Sequence, residues 1–143
     1  MIVLVVVEFY KKQHEDWIIL KTRDFMKGVS YYDRNIMKNA VNNNPQVRIK
    51  TVYADESREF FINFIVNFIA KDMSESALDG FSYMINQDEL DCKAKKYKLL
   101  STTLYDDKNT ILYSTTYQKK EWKDIPPKSD LEELAEHLCN YTE

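Results

Sequence analysis

The residues able to do chemistry are few: two cysteines, two histidines and one dense run of carboxylates. Cys92 and Cys139 permit one intramolecular disulfide. With only His14 and His137 beside them, they fall short of the four ligands of a closed zinc site. His137 stands near Cys139 and invites a cysteine–histidine nucleophile reading. Near neighbours on a helix do not face each other, however, and a bridged cysteine is no nucleophile. On a strand, Glu89 and Asp91 share one face and Asp88 takes the other. A glycosidase-like pair or a calcium site would need further partners and a glycine-bearing loop, so the run reads as a solvated face. Two glycines can hardly build a phosphate-binding loop. No catalytic residue, metal or cofactor is expected.

The elements that must position the cysteines are more legible. Cys92 ends a strand over residues 81–92, and two more strands follow over 95–105 and 110–117. The turn Asp106-Asp107-Lys108-Asn109 between the last two suits a hairpin. The lysines at 93, 95, 96 and 98 read as a solvated strand edge, where lysine discourages unwanted pairing. Trp122, Ile125, Pro126 and Pro127 form an extended linker whose prolines cannot donate to a ladder. Ser129 and Glu132 then match the N-cap and N3 positions of a capping box. Leu131, Leu134, Ala135 and Leu138 form an apolar stripe bordered by Cys139. A helix this short is marginal alone and must dock on the sheet.

Two readings of the cysteines stay open at this point: a bridge, or two buried thiols of a cytosolic protein. A strand end and the last turn of a helix favour the bridge. Closing the chain from residue 92 to 139 would contribute about 4 kcal/mol in the chain-entropy estimate, against a net stability of roughly 5–15 kcal/mol for a small domain. Such a bridge implies an oxidising compartment. Without a clear export signal, a cytoplasmic location stays open.

Upstream, residues 1–7 (MIVLVVV) lack the basic flank and the small-residue cleavage site of a secretory signal. The segment 1–15 reads either as the remnant of such a signal or as an edge strand, and residues 16–143 as a single domain. Strands are expected over 16–22, 29–33 and 46–53. In the last, Val47, Ile49, Thr51 and Tyr53 face one way and Arg48 and Lys50 the other. Gly28 is the residue best suited to a positive φ in the turn over 24–28. Residues 35–45 read as a polar loop with a helical turn near Ile36 and Met37, and residues 74–79 as a linker. The most apolar stretch, 57–73, reads as a helix whose phenylalanines and isoleucines cover more than half its circumference. Core burial is its first meaning and a contact between copies its second. The net charge of −3 and pI near 5.5 argue against general nucleic-acid binding. No apolar run reaches the length of a transmembrane span.

The ordered set Asp16-Trp17-Ile18, Tyr31-Tyr32-Asp33, the strand from Val47 to Tyr53, Leu90-Asp91-Cys92-Lys93, Lys96-Tyr97-Lys98-Leu99-Leu100, Tyr105-Asp106, Ile111-Leu112-Tyr113-Ser114, Trp122 with Ile125-Pro126, and Leu134 to Cys139 resembles the surface-adhesin protein E family of exported bacterial proteins. The resemblance implies an α+β fold: a single antiparallel sheet of about six strands, with a C-terminal helix tethered across one face by the Cys92–Cys139 disulfide. The apolar helix near 57–73 is an addition to that plan. It also implies a non-enzymatic binding module of the periplasm or the cell surface, for host matrix or plasma proteins or for haem, that self-associates. An envelope structural or assembly protein acting through self-association is the alternative. The expected partners are thus a protein ligand or further copies of the chain. Tyr31, Tyr97, Tyr105, Tyr113 and Tyr117 form the candidate binding face, on the sheet surface that the helix leaves uncovered.

Overall fold

The computed structural model describes residues 16–21, 28–118 and 121–139. The reading of residues 1–15 and of the turn over 24–27 falls outside them. Eight strands form one antiparallel sheet: β1 (Trp17–Ile19), β2 (Val29–Asp33), β3 (Met37–Lys38), β4 (Pro45–Val52), β5 (Phe81–Asp91), β6 (Lys96–Asp106), β7 (Ile111–Thr116) and β8 (Lys123–Asp124). The main path runs β1-β2-β4-β5-β6-β7, which is the six-strand sheet expected. Two short strands extend it: β3 pairs with β4, and β8 with β6. Helix α1 (Asp55–Phe68) crosses between β4 and β5, and helix α2 (Asp130–Leu138) closes the described chain.

Period-two alternation decides which face of the sheet is covered. Val47, Ile49, Thr51 and Tyr53 are all buried, and their pairing through Thr51↔Met84, Ile49↔Asn86 and Val47↔Asp88 carries the same face onto β5. Both helices lie on this side and cover its two ends. At one end Phe61 and Ile65 of α1 pack with Tyr53, Phe81, Met84 and Leu104. The Tyr53 and Phe61 rings stack there at 3.9 Å. At the other end Leu134 and Ala135 of α2 pack with Leu20, Val47, Ile49 and Leu90.

The helices are anchored differently. Ala54, at the N-cap of α1, offers no side-chain acceptor, so that helix depends on its buried stripe. The burial is one-sided: Phe60, Phe64 and Phe68 are 61%, 41% and 68% exposed. In α2, Ser129 Oγ accepts from the Glu132 amide at 3.2 Å. Glu132 Oε1 accepts from the amide of Lys128 at 3.0 Å, one residue further out than the reciprocal bond of a capping box. The Cys92–Cys139 disulfide joins the far end of α2 to the chain just after β5, with Cα atoms 5.4 Å apart. The bridge is the one expected.

Three local expectations are corrected. The helical turn near Ile36 and Met37 is instead strand β3, because Met37 and Lys38 find partners in Gln46 and Pro45 across an asparagine-rich hairpin. The linker over 74–79 contains a 3₁₀ turn (Glu75–Leu78) capped by Ser74, which carries the fully buried Leu78. Gly80 has the positive φ, at 85°, and Gly28 does not. Gly28 is there for room: a Cβ on it would meet Thr51 Cγ2 at 3.0 Å.

Candidate functional site

The sheet surface turned away from both helices carries two groups of aromatic rings paired with cations. Trp17 on β1 is flanked by two cations of β4. The Arg48 guanidinium carbon lies 5.4 Å and Lys50 Nζ 5.7 Å from its ring centre. Lys50 Nζ also lies 4.4 Å over the ring of Tyr83, which stacks on Tyr105 at 4.7 Å with planes 9° apart. The Tyr83 hydroxyl donates to Asn109 Oδ1 at 2.7 Å, and so ties the array to the β6–β7 turn. On the far side Lys98 Nζ sits 4.5 Å over the Trp122 ring. Cations held against ring faces by the quadrupole keep their charge presented on a firm apolar support. Burial lowers the pKa of Lys50. Burial raises that of Tyr83, with the neighbouring Tyr105 and Asp106 adding to it.

The candidate tyrosines divide between the two faces. Tyr31 and Tyr105 lie on the open face, the first opposite Lys50 and the second in the stack with Tyr83. Tyr97, Tyr113 and Tyr117 lie on the helix side. Tyr97 packs near the α2 cluster, Tyr113 packs near the α1 cluster, and the Tyr117 hydroxyl donates to Thr102 Oγ1 at 2.9 Å. The open face therefore gathers two of the five, and Trp17, Tyr83, Trp122, Arg48, Lys50 and Lys98 complete it. The alternation of β4 gives the two cations their common face; the ring partners come from strands distant in sequence.

The carboxylate run is not a solvated face. Glu89, 1% exposed, points to the open side beneath the 39–44 hairpin. Its carboxylate accepts from Gln46 Nε2 and Asn39 Nδ2, both at 2.9 Å, from Asn44 Nδ2 at 3.2 Å and from Asn42 Nδ2 at 3.4 Å. Lys98 Nζ stands 3.8 Å away. Burial alone would raise the Glu89 pKa, but the four amides outweigh it and hold it at about 2. Asp88, on the helix side and 4% exposed, has no hydrogen-bond or ion-pair partner among the described residues. Burial pushes its pKa up to about 7. The clustering of Asn39, Asn42, Asn44 and Gln46 was the sequence signal for a buried anion.

His137 is exposed on α2, and the described residues hold no group of three or more histidine, cysteine, aspartate or glutamate side chains able to take a metal. No described helix is long and apolar enough to cross a membrane. The family model described as surface-adhesin protein E matches residues 17–140. The chain belongs to the surface-adhesin protein E family. No curated protein and no solved structure matches it. An adhesin-E domain with a formed disulfide is an exported, adhesin-like protein, and its family points to a protein ligand.

The two neighbouring carboxylates of this adhesin-E domain act oppositely on stability. Asp88 is protonated more readily in the folded than in the unfolded chain, so its contribution declines as pH rises from about 4 to about 7. Glu89 is ionised more readily when folded, so its contribution is present above its ordinary pKa and disappears as pH falls toward about 2. Urea unfolding across pH should show Asp88→Asn removing the decline between pH 4 and 7, a relative gain on the order of 3–4 kcal/mol by pH 8. Glu89→Gln should flatten the acid limb instead. Parallel pH curves for wild type and Asp88→Asn would contradict the assignment.

Proposed function

We propose that the chain is a non-enzymatic binding module displayed at the cell surface or in the periplasm, whose open sheet face engages an acidic segment of a host matrix or plasma protein. The observation that carries the reading is the Trp17–Lys50–Tyr83–Tyr105 array with Arg48 beside it and Lys98 over Trp122. Aromatic residues and arginine are over-represented where proteins meet, since they bury much area at little entropic cost. Arg48 is paired with Asp33 at 3.2 Å and Lys98 stands 3.8 Å from Glu89, whereas Lys50 makes no ion pair among the described residues. The uncompensated charge of Lys50, seated between the rings, therefore favours an acidic partner. The array supports a protein ligand over haem.

A second reading, self-association, is favoured by one separate observation. Phe60, Phe64 and Phe68 recur at i, i+4, i+8 and form an exposed ridge along α1, with the Phe64 and Phe68 rings 5.0 Å apart. Two copies could bury such ridges against each other and leave the open sheet face available.

Surface plasmon resonance of the oxidised protein against a panel of matrix and plasma proteins tests the first reading. At least one should bind, and Lys50→Gln combined with Tyr105→Ser should weaken it by about 2 kcal/mol or more. A uniformly blank panel, or a double variant that binds like wild type, would overturn it. Sedimentation at rising concentration tests the second: wild type should dimerise and Phe64→Ser with Phe68→Ser should not. A wild-type monomer throughout would remove that reading.

A further inference from the structure

The helix side of the sheet has a polar middle that neither apolar cluster covers. Ser30 Oγ lies 3.1 Å from Thr51 Oγ1 and donates to Asp130 Oδ2 at 2.7 Å. Thr102 Oγ1 donates to Asn86 Oδ1 at 2.7 Å and accepts from Tyr117. Between this band and the first turn of α2 opens a cleft of about 360 Å³. Ile49 and Leu99 form its sheet wall and Leu131 its helix wall, while Asp88 and Asp130 supply carboxylates and Lys128 lies at its edge.

Asp88 is the anomaly. A polar side chain this deeply buried ordinarily has a hydrogen-bond partner, since leaving it without one costs free energy. It has none among the described residues, and its small remaining exposure opens onto the cleft it lines. The Ser30, Thr51 and Thr102 hydroxyls and the Asn86 side-chain carbonyl oxygen are engaged with one another or with Asp130 and Tyr117, so Asp88 is the unoccupied charged acceptor the cleft offers between apolar walls.

We propose that this cleft binds the head group of a small organic cation, an alkylammonium or alkylguanidinium, with Asp88 as its counter-ion. The methylenes of such a ligand would lie along Ile49, Leu99 and Leu131. The site is on the opposite side of the sheet from the adhesive face and stands independently of it. The groups facing Asp88 are Tyr97 from β6 and Lys128 and Asp130 from the start of α2. Lys128 makes no ion pair with Asp88, so an ionised Asp88 has no counter-ion among the described residues, which favours a cation over an anion. Binding a cation to a carboxylate that is half protonated near pH 7 displaces its proton, so affinity must rise with pH up to that point and then level off.

The test is an NMR shift titration of the full chain with three probes of equal length: n-butylammonium, n-butanol and butyrate. n-Butylguanidinium serves as the guanidinium probe. At pH 8 the two cations should shift the Asn86 and Thr102 signals while butanol and butyrate do not. Affinity should fall about tenfold between pH 6.5 and 5.5. Asp88→Asn should weaken the cations at least about tenfold, and Lys128→Gln should tighten them. Equal shifts from butanol, preferential binding of butyrate, no shifts with either cation, or undiminished binding to a folded Asp88→Asn would each overturn the proposal.

Discussion

The disulfide between Cys92 and Cys139 is the constraint on which the rest of this structure depends. Helix α2 has nine residues, too few to persist alone in water, and its apolar stripe covers only one end of the sheet. Fixing its last turn to the chain just after β5 leaves the helix little freedom to leave the sheet. The sequence separation of 47 residues makes the unfolded chain lose about 4 kcal/mol of conformational freedom. The burial of Leu20, Val47, Leu90 and Leu134 follows from that placement. So does the cleft, because its outer wall is the first turn of the same helix.

The sheet then has two faces with different work. The helix side is apolar at both ends and polar in between, so it holds the helices apart and leaves a lined space. The open side has no helix among the described residues. It carries rings stiffened by stacking and cations seated on them, a surface that needs little rearrangement on meeting a partner. Adjacent residues on β5 serve the two sides oppositely. Glu89 is charged and saturated with donors, whereas Asp88 is poised between charge states and has none.

Much of this was legible in the sequence wherever local rules decide. The alternation of Val47 to Tyr53, the Asp106–Asn109 turn and the Ser129 cap all follow from residues within a few positions, and the scarcity of cysteine left the bridge as one of two readings. The faces of the tyrosines were not legible. Tyr97 and Tyr105 are an even number of residues apart and would share a face on a regular strand. The register passes from Gln87↔Ser101 to Asp88↔Leu99, and the skipped Leu100 puts the two rings on opposite sides. The burial of Asp88 and Glu89 was equally hidden, because what covers them comes from residues 39–46 and from α2. Composition alone made α1 look sandwiched, but only one stripe of it finds the sheet.

Hydrogen exchange on the oxidised and the reduced protein tests the central claim most directly. Reduction should strip protection from the amides of residues 134–138 and loosen the 128–131 turn, while β4, β5 and the paired part of β6 stay protected. Equal protection of α2 in both states would show that the helix holds its place without the bridge, and the account built on it would be wrong.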